Sequence, residues 1–177
     1  ASETAAVVAG GTVGGAPGSG TPQTATEEYN GSSWTAVNSM NTAKNATNGN
    51  SCGVETAGLF ITVDQGVEEY NGSTWSEQND LNRPSGEGGG VSGAQTAAVY
   101  AGGGGYLASC ESYDGTSFVT SASLSTGRAY SGGAGATSAT GTIFGGKNSP
   151  SSPRTTGATE EFTAETTSAN IVTVTTS

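Results

Sequence analysis

Short apolar runs recur along the chain, and three of the four end in a pair of glycines. They read "TAAVVAGG" at 4–11, "TAGLFITV" at 56–63, "TAAVYAGG" at 96–103 and "GTIFGG" at 141–146. Their β-branched and aromatic content and their short length predict buried β-strands. The later three follow segments of small residues, "NGNSCGVE", "SGEGGGVSGA" and "YSGGAGATSA". Such segments predict strands whose backbones crowd together, as around a central axis.

A second pattern follows each apolar run. "EEYNGSSW" at 27–34 recurs as "EEYNGSTW" at 68–75 and "ESYDGTSF" at 111–118, and "EEF" at 160–162 keeps its start. Asn-Gly or Asp-Gly between alternating residues is a strong hairpin signal and predicts a two-residue type I′ turn. The aromatic residues before and after the turn should then be cross-strand neighbours, as Tyr29 and Trp34 would be.

One repeat is therefore predicted to hold four strands: small-residue, apolar, "EEY" and "SSW". The aligned aromatics Tyr29, Tyr70, Tyr113 and Phe162 are spaced by 41, 43 and 49 residues. Four strands on a period of about 40–50 residues are typical of a β-propeller blade. We predict a single all-β domain over 1–177, β-propeller-like, with about four four-stranded antiparallel blades. The approximate repeats are 1–44, 45–83, 84–128 and 129–177.

The repeat resembles the kelch repeat: an apolar strand ending in Gly-Gly, a variable loop, an acid and Tyr, then Trp. "VVAGG…EEYNGSSW", "VYAGG…ESYDGTSF" and "IFGG…EEF" follow that order. The second repeat departs from it with "ITVDQG", and the fourth has no residue at the Trp position. Over nearly its whole length, the chain resembles kelch-like repeats in predicted structural proteins of marine and freshwater bacteriophages. This resemblance implies a non-enzymatic virion protein.

The two ends of the chain raise the question of closure. The first apolar run has no small-residue segment before it, and the last residues, "ANIVTVTTS", have the composition of an additional strand. We expect residues 169–176 to complete the first blade or a neighbouring subunit, because either arrangement covers an exposed strand edge.

Composition and charge exclude several functions. The net charge of −10, with five basic residues, argues against nucleic acid as a partner. No apolar run is long enough to insert into a membrane as a helix. Histidine is absent, which excludes His-based catalytic triads and His-ligated zinc or copper. Cys52 and Cys110 allow one disulfide or two buried thiols. We therefore expect no enzyme, cofactor or metal site.

Acids and bases also recur along the repeats. The aligned acids are Glu27, Glu68, Glu111 and Glu160, and a base follows the last predicted strand in each of the first three repeats: Lys44, Arg83 and Arg128. A catalytic or metal-binding ring of acids is one interpretation. Regular recurrence of both signs favours structural ion pairs within or between blades.

The aromatic residues divide into two groups. Trp34, Trp75 and Phe118 recur with the repeat, which favours packing over sugar stacking. Tyr100, Tyr106 and Tyr130 are interpreted as breaking the repeat and are the candidate ligand or partner contacts, although local packing is the alternative.

The function hypotheses follow from these patterns. The first is a structural or adhesive virion protein, a fibre, spike or decoration, in which a rigid propeller displays the loops at 14–25 and 147–158. Its partners would be other virion subunits in a homo-oligomer and a cell-surface glycan, and its location the virion or the extracellular space. The alternatives are a secreted surface or filament-forming protein that assembles by strand exchange, and a domain that binds or acts on polysaccharide.

Overall fold

The computed structural model describes residues 4–15, 20–43, 50–62, 65–83, 88–149 and 155–163, and the backbone of 170–174. This part of the chain is all-β, and every strand pairing in it is antiparallel, which confirms the predicted fold class at that level. The described residues contain no helix, and hence none that could span a bilayer. The strands are β1 Ala6–Ala9, β2 Thr12–Val13, β3 Thr21–Pro22, β4 Thr26–Tyr29, β5 Trp34–Val37, β6 Ser51–Val54, β7 Ala57–Ile61, β8 Val67–Tyr70, β9 Trp75–Gln78, β10 Gly90–Ala94, β11 Ala97–Ala101, β12 Cys110–Tyr113, β13 Phe118–Ser121, β14 Gly132–Thr137, β15 Thr140–Phe144, β16 Thr159–Thr163 and β17 Asn170–Val174.

The strands form four successive meandering sheets. The first has the order β1-β4-β5, the second β6-β7-β8-β9, the third β10-β11-β12-β13 and the fourth β14-β15-β16-β17. The short pair β2 and β3 lies in the connection between β1 and β4. Each sheet uses strands from one of the four predicted repeats; among the described residues the first sheet has three strands and each of the other three has four.

The hairpins after β4, β8 and β12 lie where the Asn-Gly and Asp-Gly signals predict them. Tyr70 pairs directly with Trp75, and the equivalent aromatics pair in the first and third sheets. The prediction of a type I′ turn is wrong, however. Four residues separate each aromatic pair, and of the Asn-Gly or Asp-Gly residues only the glycine has positive φ. In the second sheet the Asn71 side chain accepts hydrogen bonds from the amides of Ser73 and Thr74 at 3.0 and 2.8 Å. This side-chain turn replaces the tighter backbone turn.

The small-residue strands β6, β10 and β14 lie side by side, with β10 in contact with both of the others. Their backbones approach so closely that a Cβ on Gly133 would lie 2.1 Å from the carbonyl oxygen of Val91. A Cβ on Gly90 would likewise lie 2.9 Å from the carbonyl oxygen of Gly132. The predicted crowding of these segments is therefore confirmed.

One glycine recurs at the same register in all three small-residue strands. Gly53, Gly93 and Gly135 have φ of +101°, +123° and +156°. A Cβ there would lie 2.1 to 2.3 Å from a carbonyl oxygen of the paired strand. Both the backbone conformation and the space therefore require glycine at this position.

The expectation for the C-terminal strand is wrong. Residues Asn170–Val174 pair with β16 as the fourth strand of their own sheet, so they complete neither the first sheet nor another subunit. Ile171 lies opposite Phe162, the place that Trp75 takes opposite Tyr70. The last strand is thus the regular end of the fourth repeat.

The apolar core lies between neighbouring sheets. One cluster joins the second and third sheets through Leu59, Val67, Val91 and Tyr113. Another joins the third and fourth through Val99, Cys110, Leu124 and Ile143, with Phe162 packed against it. The first sheet is more open, since Val8 and Trp34 remain 49% and 48% exposed.

Candidate functional site

The aligned acids of the third strands differ in burial. Glu68, Glu111 and Glu160 are 1 to 2% exposed, whereas Glu27 of the first sheet is exposed. Buried carboxylates require hydrogen-bond donors, and the donors here come from the preceding sheet.

Each buried carboxylate accepts hydrogen bonds from the loop that follows the last strand of the preceding sheet. Glu68 accepts from the amides of Asn41 and Thr42 at 2.9 and 3.1 Å. In the next two sheets, the amide of Asn82 donates to Glu111 at 2.9 Å, and the amide of Ser125 donates to Glu160 at 2.6 Å. We call this contact, made by an acid with the loop before it, the inter-sheet clamp.

Two bases expected to pair with these acids take part in the clamp. Arg128 is fully buried, lies 2.5 Å from Glu160 and donates to the carbonyl of Ala158 at 2.8 Å. Arg83 is more exposed and its Nε lies 3.5 Å from Glu111, too far for a good hydrogen bond. Its Nε and Nη1 have no hydrogen-bond partner, while its Nη2 donates to two backbone carbonyls. The Arg128 pair is thus the tighter one, and Lys44 lies outside the described residues.

A second contact joins the sheets through the other acid of the "EEY" pattern. The hydroxyl of Tyr70 donates to Glu28 at 2.6 Å, and that of Tyr113 donates to Glu69 at 2.9 Å. Burial is the main cause, and the hydrogen bond to Glu28 the second, of a pKa of about 12 for Tyr70. Burial also raises the pKa of Glu69 above its usual value. The fourth repeat has Phe162 here and so has no hydroxyl to donate.

The repeated aromatics Trp75 and Phe118 are packing residues, 7% and 5% exposed. Their rings lie 4.8 and 4.6 Å from those of Tyr70 and Tyr113. Trp34 makes the same pair with Tyr29 at 5.1 Å but stays half exposed.

Of the three candidate ligand tyrosines, Tyr100 does not fit that role. Its side chain is fully buried, its hydroxyl accepts a hydrogen bond from the amide of Gly89 at 2.9 Å, and Arg83 lies over its ring. It occupies the same position in its sheet as Phe60 and Ile143 in theirs, so it follows the repeat.

Tyr130 is exposed and Tyr106 is half-buried. Tyr106 lies in the loop between β11 and β12, and Tyr130 lies in the connection just before β14. Both have left-handed backbones, with φ of +60° and +55°, which is uncommon for aromatic residues. Lys147 Nζ lies 4.6 Å from the centre of the Tyr130 ring. Such strain persists only where the surroundings hold the backbone, and it often accompanies binding sites.

These residues form part of one surface, which we call the loop edge: Tyr106, Leu107, Tyr130 and Lys147. The carbonyl of Leu107 accepts from the amide of Arg128 at 3.0 Å, and Ala129 pairs with Lys147 through two hydrogen bonds. Leu107 and Tyr130 are each 39% exposed. Lys147 begins the expected binding loop at 147–158, of which 150–154 lie outside the described residues, as do 16–19 of the other loop.

Burial disfavours the thiolate form of both cysteines. Cys52 and Cys110 are not bonded to each other, and burial raises their pKa values to about 12 and 11. Within the described part of the chain, no three His, Cys, Asp or Glu side chains converge on a metal position.

Comparison with known proteins shows the fold alone. No family model and no curated protein matches the chain. A similar solved structure is described as "Structure of YjhT", with a TM-score of 0.57 and 13% identity. The match covers 84% of this chain and 52% of the other, so the chain spans about half the length of that structure.

Proposed function

We propose that the chain is a non-enzymatic structural and adhesive domain of a virion, built as a kelch-like β-propeller that displays a binding edge. The propeller proposal is supported by four successive meandering sheets, three of which have small-residue strands that lie side by side. The kelch and phage assignment rests on the sequence repeats of the "EEYNGSSW" type. Each described sheet is built from the strands of one such repeat. The blades would be these four sheets, the first with three strands.

The observation that carries the adhesive function is the position of the loop edge on a rigid scaffold. The buried pair of Arg128 and Glu160 fixes the loop from which Tyr130 projects, two residues further on. A surface held in place before binding loses little conformational entropy when a ligand arrives. The loop edge is thereby preorganised.

The chemistry of the loop edge suits a carbohydrate. Half-exposed Tyr130 offers a ring face for the apolar side of a sugar, and Lys147 supplies hydrogen-bond donors beside it. We therefore propose a cell-surface glycan as the ligand, with homo-oligomeric virion subunits as the other partners and the virion or extracellular space as the location.

Glycan binding is tested by screening the intact chain on a glycan array and measuring affinities of the strongest ligands. The variant Tyr130→Ala should weaken binding by about tenfold or more, as expected for a central aromatic contact. Trp34→Ala removes an aromatic side chain of similar exposure from the first sheet and is the matched control. Equal loss in both variants, or no bound glycan, would contradict the adhesive role.

The virion assignment needs a separate measurement. Quantitative mass spectrometry of purified particles from the source culture should find the chain at a fixed ratio to the major capsid protein through successive gradients. A ratio that falls with each purification step would reject this location.

A further inference from the structure

Among the described residues, the first sheet has no counterpart of the strand that the other three sheets have at their inner edge. In those sheets a small-residue strand pairs with the apolar strand, as β10 pairs with β11. No described strand pairs with the corresponding edge of β1. Unpaired strand edges are sites where an additional strand can bind.

A cavity lies beside this edge. It has a volume of about 200 Å³, and it is lined by Val7 of β1, by residues of β6 including Cys52 and Gly53, and by Phe60. In the neighbouring sheets, β10 lies beside β6 and β14 beside β10. A strand paired with β1 would lie beside β6 in the same way and would fill this cavity.

The acid of the first sheet that corresponds to the clamp acids, Glu27, is not covered by a loop in the described residues. Glu27 is exposed, while the equivalent Glu111 is buried by Asn82 and Arg83. Those two residues come shortly before β10 in the chain. In the third sheet, one continuous segment at 81–94 therefore supplies both the clamp loop and the small-residue strand.

We propose that the first sheet binds one segment of a neighbouring polypeptide, which supplies both missing parts. The segment has an Asn-Arg pair that meets Glu27, followed by a strand of Gly, Ser and Ala that pairs antiparallel with β1. Glu55 at the cavity and Glu27 on β4 favour a segment that carries a base. The proposal does not depend on glycan binding at the loop edge.

A second copy of this chain is a poorer donor than another polypeptide carrying the same repeat. The small-residue strands β6, β10 and β14 are already paired in their own sheets. The terminal strand β17 has the sequence "NIVTV", whose β-branched residues do not suit a place where backbones crowd. The partner is therefore defined by a small-residue strand other than the three that the described sheets already pair.

The test uses a synthetic peptide, "LNRPSGEGGGVSGA", with the sequence of residues 81–94 and blocked termini, added to the intact protein. Hydrogen exchange measured by mass spectrometry should slow in residues 4–9 when the peptide is present. Alkylation of Cys52 should slow as well, while buried Cys110 is the internal control. Faster exchange in β10, with no slowing at β1, would show that the peptide displaces β10 from its own sheet and would overturn the proposal.

Peptide variants separate strand binding from adhesion to an exposed surface without changing the protein. Gly93→Val in the peptide should weaken binding by about tenfold or more, since the left-handed position does not accept a β-branched residue. Ser85→Ala in the peptide is the matched control and should bind like the parent.

Variants of the protein test the contact with Glu27. Glu27→Ala should weaken binding of the peptide, and Glu161→Ala, at an exposed acid of the fourth sheet, should not.

Two further outcomes would overturn the proposal. One is equal binding of the Gly93→Val peptide and its parent. The other is a dimer of the protein alone in which β1 and Cys52 are already protected, because a second copy would then occupy the edge.

Discussion

Replacing Arg128 by alanine is expected to destabilise the fold more than any exposed substitution. The side chain is fully buried and lies 2.5 Å from Glu160, which is itself only 2% exposed. Removal of the guanidinium leaves the carboxylate with the amide of Ser125 and leaves the carbonyl of Ala158 without this donor. Both effects act at the junction of the third and fourth sheets.

The expected loss of stability in Arg128→Ala follows from the burial of the Arg128–Glu160 ion pair. Breaking a buried ion pair by removing one partner costs about 3–5 kcal/mol, because the remaining charge stays in a poorly solvated place. For a domain of this size that corresponds to a loss of about 6–20 °C in Tm. Arg83→Ala should cost less, about 1–3 kcal/mol, since the Arg83 side chain is 16% exposed and Asn82 also donates to Glu111.

The assay is urea unfolding followed by circular dichroism, with thermal scanning as a second measurement. Glu161→Gln, at an exposed acid of the same strand as Glu160, is the control and should stay within about 0.5 kcal/mol of wild type. The double variant Arg128→Leu with Glu160→Leu should recover part of the loss, because no unpaired charge remains. A loss below about 1 kcal/mol for Arg128→Ala would refute the clamp as a stabilising contact.

Three further predictions concern the hairpins, the tyrosines and the thiols. Asn71→Ala should cost about 1 kcal/mol by urea unfolding, because two turn amides lose their side-chain acceptor; a neutral result would contradict the turn. Tyr70 has a raised pKa in the folded state, so the unfolded chain loses its proton first, and stability should fall as the pH rises from 10 to about 12. Tm measured against pH should show a shallower fall for Tyr70→Phe, and equal slopes would exclude this origin. Cys52 should react with a thiol reagent before Cys110 in the native protein, since Cys110 is buried and Cys52 half-buried; simultaneous reaction would indicate global opening.

The strand pattern was readable from sequence because local signals agree with the fold. The Gly-rich runs located β10 and β14, and "EEYNGSTW" located the pairing of Tyr70 with Trp75. Periodic apolar residues and turn residues act within one hairpin, so they need no knowledge of the other sheets.

The predictions for the turn type and for the place of the last strand are wrong for local reasons. Asn-Gly favours a type I′ turn, but the Asn71 side chain satisfies the turn amides in a longer loop. The strand at Asn170–Val174 lacks an Asn-Gly signal before it, so the sequence alone does not join it to the preceding strand as a hairpin. Ile171 pairs with Phe162 from nine residues further along the chain, whereas Trp75 pairs with Tyr70 from five. The longer connection hides this pairing from the repeat pattern.

The inter-sheet contacts could be inferred only in part. Alternation of acids and bases indicated ion pairs, but the bonds from Tyr70 to Glu28 and from Tyr113 to Glu69 depend on how one sheet lies against the next. No spacing within a single repeat encodes that placement. The place of Tyr100, by contrast, could be predicted from the sequence, because Tyr100 aligns with Phe60 and Ile143 within the apolar runs.

The rigid display of a compact domain is tested most directly by the mass of the native chain from light scattering, with negative-stain images of the same sample. The account predicts a discrete species, a single chain or a small closed oligomer of compact lobes, because β17 is paired within its own sheet and is not a free donor. Open-ended fibres of the isolated chain would contradict it, since they would require strand exchange between copies.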